Sequence, residues 1–463
     1  MTTLLKIFIR KVTISFLLVC SFSSCDNFVE VELPDTQLTA PLVFEDKATA
    51  NAALTAIYSK IREGGLLTGS FSGMSNQLGL YTDELHYYGD AQSISSSFYN
   101  NTLSPSATDL ASLWNSSYSQ VYAANAVLEG LANSTTLSQE DSGPMRGEAL
   151  FIRALLHFYL TDLYGEVPYV TATDYRQNSS IVKIAVQDVY AKALQDLEEA
   201  LTLLPDTYPQ PDRVRPNKFA AYTLMARLHL YAGNWEMAAN EASAVINESL
   251  FSIGVPPENA FLKGSPETIW QLAPGVPGGN TLEGSTFLFV SGPPPGSALR
   301  EELVMAFEPG DLRFLHWVGS VTDGVNTWYH PNKYKLTLYA GGDQEYSKIF
   351  RLAELYLIRS EARARQGDLI GAREDLNIVR MRAGLPGSLA ATAEELIDAV
   401  LYERRVELFT EFGHRFFDLK RFGRLDMTLE ALKPGWENTD SLFPVPAVEI
   451  GLNPGVGPQN PGY

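Results

Sequence analysis

The chain has 463 residues, 45% hydrophobic and 19% charged, a globular composition long enough to bury a large core without staples. Its formal net charge of −19 repels phosphate backbones, so nucleic acid is not an expected partner. Its two cysteines, Cys20 and Cys25, both stand near the N-terminus, which leaves the body without a thiol nucleophile, a thiolate metal site or redox chemistry.

Residues 1–24 read as a lipoprotein signal. Lys6, Arg10 and Lys11 give a positive start, Val12 to Phe22 an apolar run, and Ser23-Ser24 the small residues before a cut. The run is far short of the roughly 20 residues a spanning helix needs, so it reads as a removed secretion signal with Cys25 as the lipidated first residue. Cys20 is a poorer candidate, because Val19 before it is bulky. Removing residues 1–24 takes away three basic residues and no acid, so the mature chain repels anionic headgroups and its attachment rests on acyl chains. The acidic stretch from Asp26 to Glu32 then reads as a solvated tether or an outer-face sorting signal.

Apolar residues at spacings of three and four predict helices near 46–63, 109–132, 139–163, 185–204, 217–247, 348–382 and 393–412. Strand-like alternation is scarce. The segment 251–345 differs, with Gly275-Val276-Pro277-Gly278-Gly279 and Gly292-Pro293-Pro294-Pro295-Gly296 among scattered aromatics. So long an irregular stretch is expected to carry function. The tail from Pro434 to Tyr463 is again rich in Pro and Gly and reads as extended chain over the surface.

An internal repeat is present. Ala226, Gly233, Asn234 and Ala238 recur as Ser360, Gly367, Asp368 and Ala372. Small residues let two antiparallel helices approach, glycine turns the corner, and Asn or Asp is placed to cap the second helix. This is a tetratricopeptide-like hairpin pattern, with repeat pairs around 185–247 and 348–412 interrupted by the irregular segment. Such repeats serve as protein-docking surfaces or as scaffolds for loops.

Catalytic signatures are missing. The chain has no phosphate-binding Gly-rich loop and no Gly-x-Ser-x-Gly elbow. Its histidines (His86, His157, His229, His316, His330, His414) lack metal-ligand spacing, so neither metal nor cofactor is expected. Asp83-Glu84 is the one carboxylate pair in an aromatic loop, and a glycoside hydrolase would need such a pair. Glu403, Arg404, Arg405, Glu407, Glu411, Arg415, Asp418 and Arg421 form the densest charge cluster. Glutamates at spacing four with arginines between them predict an ion-pair lattice, not acid–base chemistry.

Several segments, in order, resemble the SusD/RagB family of nutrient-binding outer-membrane lipoproteins. They include Phe44-Glu45-Asp46 with Ala52-Ala53-Leu54 and Ile57-Tyr58, then Leu113-Trp114 with Tyr118, Val121-Tyr122 and Asn125. Arg146-Gly147-Glu148-Ala149, Arg153-Ala154, His157-Phe158 and Tyr164-Gly165-Glu166-Val167-Pro168 follow. Further on come Arg351-Leu352-Ala353-Glu354-Leu355-Tyr356-Leu357, Ala372 to Gly384, and the charge cluster running into Arg415-Phe416-Phe417-Asp418-Leu419-Lys420-Arg421. Phe443-Pro444-Val445-Pro446 and Gln459-Asn460-Pro461-Gly462-Tyr463 end the chain. Ser360 stands where the family usually has Ala, and both are small.

The resemblance implies a mostly α fold of tetratricopeptide-like helix pairs with a large loop-rich ligand-binding half, spanning 25–463. It implies no enzymatic activity, a lipid anchor at the cell surface, and a SusC-like TonB-dependent transporter as partner. The ligand would be an oligosaccharide or, in the alternative, a peptide. Family contacts lie in the loop before the Trp-x-x-x-Tyr helix, here Tyr81 to Asp90 and Phe98 to Asn101. Asp83, Glu84, Tyr87, Tyr88, Tyr99 and Asn100 are the candidates there, because aromatic faces pack on sugar C–H faces while polar side chains bond hydroxyls. Phe287, Phe289, Trp317, Trp328 and Tyr329 offer a second wall.

Overall fold

The computed structural model describes residues 40–463. The expected signal segment and the lipidation residue Cys25 lie outside the described residues. Long helices form where apolar side chains recur every three or four positions: α1 (Lys47–Glu63), α4 (Thr108–Asn133), α5 (Gln139–Tyr164) and α6 (Val186–Leu203), with short α2 (Met74–Tyr81) and α3 (Ile94–Tyr99) between them. Asp46 starts α1 by accepting from Ala48 N and Thr49 N. No helix among the described residues is long and apolar enough to cross a membrane.

The repeat folds as two hairpins. The predicted helix at 217–247 is α7 (Lys218–Tyr231) and α8 (Trp235–Ile246), and further along come α11 (Leu352–Arg365) and α12 (Leu369–Arg382). Gly233 (φ +76°) and Gly367 (φ +86°) turn the corners in a left-handed conformation that a Cβ disfavours. Ala226, Ala238, Ser360 and Ala372 are fully buried, and Ser360 Oγ donates to the Ala372 carbonyl at 2.6 Å across the seam. Asp368 caps α12 through Gly371 N at 3.0 Å. Asn234 does not cap α8; its amide lies 3.4 Å from the His229 ring instead.

The segment expected to be irregular contributes four strands to two sheets, which strands from outside it complete. β2 (Thr268–Leu272) pairs antiparallel with β6 (Ser347–Arg351). Both are buried along their whole length, so β6 shows no alternation and reads as the start of the helix that follows it. The second sheet has the order β1-β3-β5-β4, from β1 (Leu85–Tyr87), β3 (Ser297–Leu299), β4 (Val318–Thr322) and β5 (Thr327–Pro331). Short helices α9 (Leu282–Phe287) and α10 (Leu312–Trp317) lie between the strands.

The charge cluster becomes a lattice. It spans α13 (Ala393–Glu407), the turn after it and α14 (His414–Arg421). Glu407 meets Arg351 at 2.9 Å, Arg313 at 3.1 Å and Arg382 at 2.5 Å. Burial alone would raise its pKa, but those guanidinium groups hold it well below the carboxylate range. Glu411 takes Lys333 and Arg351, and Asp418 takes Arg404 and Arg421. His157 has a packing role: fully buried, it places Nδ1 2.8 Å from the Arg153 carbonyl and accepts from Val170 N.

The C-terminal tail departs from the sequence expectation. It does not run only over the surface as extended chain. Phe443 and Val445 are fully buried, Phe443 N donates to the Leu163 carbonyl at 2.8 Å, and Asn460 Nδ2 reaches the Tyr164 carbonyl at 2.7 Å. Apolar residues between the prolines drive that docking.

Candidate functional site

Two loops far apart in sequence meet at the four-stranded sheet. β1 pairs with β3 in the register Leu85↔Leu299, His86↔Ala298 and Tyr87↔Ser297, and β3 touches β5 at Leu299↔Tyr329. Tyr88 N extends the ladder to the Gly296 carbonyl at 2.7 Å. The Gly/Pro run before β3 and the aromatic loop after α2 are thereby stitched together, and the hairpin β4–β5 closes the third side.

The result is a solvent-open cleft of about 230 Å³, lined by His86, Tyr88, Arg300, Glu302, Trp328 and Tyr329, with Leu299, Glu301 and Thr327 completing it. Tyr88 is 41% exposed, and Trp328 and Tyr329 are half-buried. The Trp328 ring is seated on Gly292, where a Cβ would lie 1.9 Å from the indole. Only glycine allows that approach, which gives the Gly/Pro run a positioning role. His86 stacks obliquely against Tyr88 with centroids 4.8 Å apart, and its Nδ1 lies 2.8 Å from the Tyr99 hydroxyl. Burial first, then the charges of Arg300 and Lys433, lower the His86 pKa, so the ring is neutral at neutral pH.

Arg300 brings charge to the floor. Its backbone N–H donates to the Glu84 carbonyl at 2.9 Å, its Nε faces Glu302 at 3.4 Å, and its Nη1 is buried without a partner. Glu301 and Glu302 are exposed acceptors beside it. Aromatic surface, a guanidinium donor and carboxylate acceptors converge here on one small volume. Such a cleft takes a ligand with apolar faces and closely spaced hydroxyl or amide groups.

Of the candidates from sequence, Tyr88 and Trp328 line the cleft, and Tyr329 joins them. The others stand elsewhere. Asp83 is 2% exposed and held by Arg415 at 2.8 Å through two nitrogens and by Arg405 at 2.8 Å. Burial would raise its pKa; Arg415 and Arg405 outweigh that and hold it below the usual range. Glu84 is equally buried and accepts from Thr410 N. Its pKa is raised to about 8 by burial and then by the charge of Asp83. Neither carboxylate reaches a surface ligand, and the pair cannot flank a glycosidic bond.

Trp317 is fully buried, donating from Nε1 to the Pro257 carbonyl at 2.8 Å with Lys333, Arg351 and Arg382 over its ring. It is core, as are Phe287 and Phe289. Tyr87 turns its hydroxyl to Ser93 at 2.6 Å. Tyr99 is half-buried, one face covered by the Lys433 ammonium at 4.2 Å, and it acts through His86. Asn100 is exposed but bonds the Ser96 carbonyl at 2.9 Å outside the cleft. His86 and Arg300 are cleft residues that sequence reasoning passed over. The available signal was the charged triplet Arg300-Glu301-Glu302 directly after the Gly/Pro run.

The chain is similar to known proteins along its length. Residues 72–230 match a family described as "Starch-binding associating with outer membrane", and residues 318–463 match the SusD family. A SusD-like protein of Formosa agariphila is 22% identical, covering 96% of this chain and 97% of its own. A crystal structure of a SusD-like protein from Bacteroides fragilis superposes with a TM-score of 0.77 at 21% identity, covering 91% of this chain and 98% of that one. Surface glycan-binding protein A from Bacteroides thetaiotaomicron, solved in complex with laminarihexaose, superposes with a TM-score of 0.74 at 18% identity, covering 89% of this chain and 99% of that one.

Proposed function

We propose, from the premise that this chain belongs to the SusD/RagB family, that it is a non-catalytic surface lipoprotein which captures glycan in the cleft between Tyr88 and Trp328 and passes it to a SusC-like TonB-dependent transporter. The observation that carries the reading is the cleft itself. Exposed Tyr88 and half-buried Trp328 and Tyr329 offer apolar surface for a pyranose C–H face. Arg300, Glu301 and Glu302 supply paired donors and acceptors for vicinal hydroxyls. Solved relatives with this fold bind laminarin-type glycans, and that supports the ligand class.

The setting of the cleft carboxylates supports binding without chemistry. The cleft carboxylates sit beside Arg300, with no buried acid among the lining residues to donate a proton. Affinity in an open cleft with few stacked rings falls at about −4 to −8 kcal/mol, millimolar to micromolar. Calorimetry of the full-length protein against a panel of polysaccharides, with a peptide digest alongside, tests the reading. Saturable glycan binding lost in Trp328→Ala and Tyr88→Ala supports it, and binding to the digest alone moves the ligand class to peptides. Recovery of a barrel on affinity purification, and palmitate incorporation lost in Cys25→Ala, test the partner and the anchor.

A further inference from the structure

A second cavity, of about 240 Å³, lies apart from the cleft between the loop after α1, the end of β2 and α9. Its walls are apolar, made by Leu67, Leu272, Pro274, Val276, Leu282 and Leu338. One acid stands in this lining deep inside the protein. Glu283, on α9, is 3% exposed; its Oε1 accepts from Ser347 Oγ, and its Oε2 has no hydrogen-bond partner. Gly69 leaves the room that this oxygen occupies, since a Cβ there would lie 2.0 Å from it.

The neighbours of Glu283 do not neutralise it. On its inner side Lys333 is committed to Glu411 at 2.5 Å and to the carbonyls of Glu407 and Phe409. Tyr334 gives no charge, and Glu411 adds a like one. At the mouth Arg62 pairs with Glu63 at 2.8 Å, so the rim is locally neutral. Elsewhere in the interior Glu267, Glu403, Glu407 and Glu411 each hold an arginine or a lysine. Among the described residues Glu283 has no such partner. A buried carboxylate lacking a cation is costly unless it takes up a proton or a cation enters to pair it.

We propose that this cavity binds a primary ammonium carried on a short apolar stem, the ammonium donating to Glu283 Oε2 and the stem lying against Leu67, Leu272 and Leu338. A neutral alcohol would leave the charge unpaired. A divalent cation lacks ligands, because no group of three metal-ligating side chains gathers among the described residues. Residues 26–39 contain no lysine or arginine, so that stretch cannot supply the cation.

The test is calorimetry of the full-length protein with butylamine and with its neutral isostere 1-butanol. Burial, aided by the charge of Glu411, raises the Glu283 pKa to about 7. Butylammonium is therefore expected to bind saturably, about tenfold more weakly at about pH 6 than at about pH 8, with a proton released on binding. Butanol is expected to bind at least tenfold more weakly, and Glu283→Gln to erase both the preference for the amine and its pH dependence. Ala273→Trp fills the chamber while leaving the carboxylate in place, and should block the amine in a folded protein. Trp328→Ala should bind it normally. Equal binding of amine and alcohol, binding untouched by Glu283→Gln or Ala273→Trp, or no saturation at tens of millimolar overturns the proposal.

Discussion

Around Glu407 the acids of the helical body are buried and held by guanidinium groups, whereas at the cleft Glu301 and Glu302 face solvent and half-buried Arg300 reaches Glu302 at 3.4 Å. Groups paired inside a frame hold elements together and have nothing left to offer a ligand. Groups left incompletely paired at a solvent-open surface can exchange water for ligand hydroxyls at small net cost. The two regions are joined through one short segment. Asp83 is locked into the frame by Arg415, Glu84 accepts from Thr410 N, and the next residues form the strand that carries His86 and Tyr88 to the cleft.

The largest effect should come from breaking the frame. Arg351→Met removes one cation from Glu267, Glu407 and Glu411 together. It is expected to cost about 3–5 kcal/mol, because the acids stay buried without their partner. Urea denaturation measures this, and a loss under about 1 kcal/mol would make the lattice dispensable.

The two tryptophans sharpen the contrast. Trp317→Ala is expected to lose about 3–5 kcal/mol of stability, since it empties a fully buried site under three cations. Trp328→Ala should change stability by less than about 2 kcal/mol and glycan affinity by at least tenfold, about 1.4 kcal/mol. Gly292→Val should mimic a milder form of the second variant, as its side chain must push the indole from its seat. Paired denaturation and binding curves for the three variants decide whether the regions separate.

These tryptophans also mark where the sequence stops being legible. The helices were readable because their apolar stripes follow a local period, and the hairpin corners because only glycine turns there freely. The lattice was readable from glutamates at spacing four. The aromatic loop Tyr81 to Asn101 could be singled out, but which of its rings face solvent could not. Trp317 ends α10 and turns into the core, whereas Trp328 stands on β5, which strand pairing with β3 and β4 brings to the cleft. Arg300 and His86 enter the cleft by the pairing of β1 with β3. Asp83 and Glu84 looked like ligand acids because nothing local announces Arg415 or Thr410, each more than three hundred residues away.

The smallest effect tests the joint between the regions. Glu84 has its pKa raised from 4.5 to about 8, by burial first and by the charge of Asp83 second. Between those values the folded protein keeps a proton that the unfolded chain has released, so this group's stabilisation is complete near pH 4.5 and is lost as pH rises through about 8. Glu84→Gln retains an acceptor for Thr410 N and has no charge to bury. The variant should therefore match the wild type in acid and exceed it above about pH 8, a difference read from urea midpoints across the range. The carbonyl of residue 84 still receives Arg300 N, so glycan affinity should shift by less than about twofold. A gain in stability that is the same at every pH would mean Glu84 is ionised in the folded state. The strand feeding the cleft would then rest on a buried charge rather than on a neutral hydrogen bond.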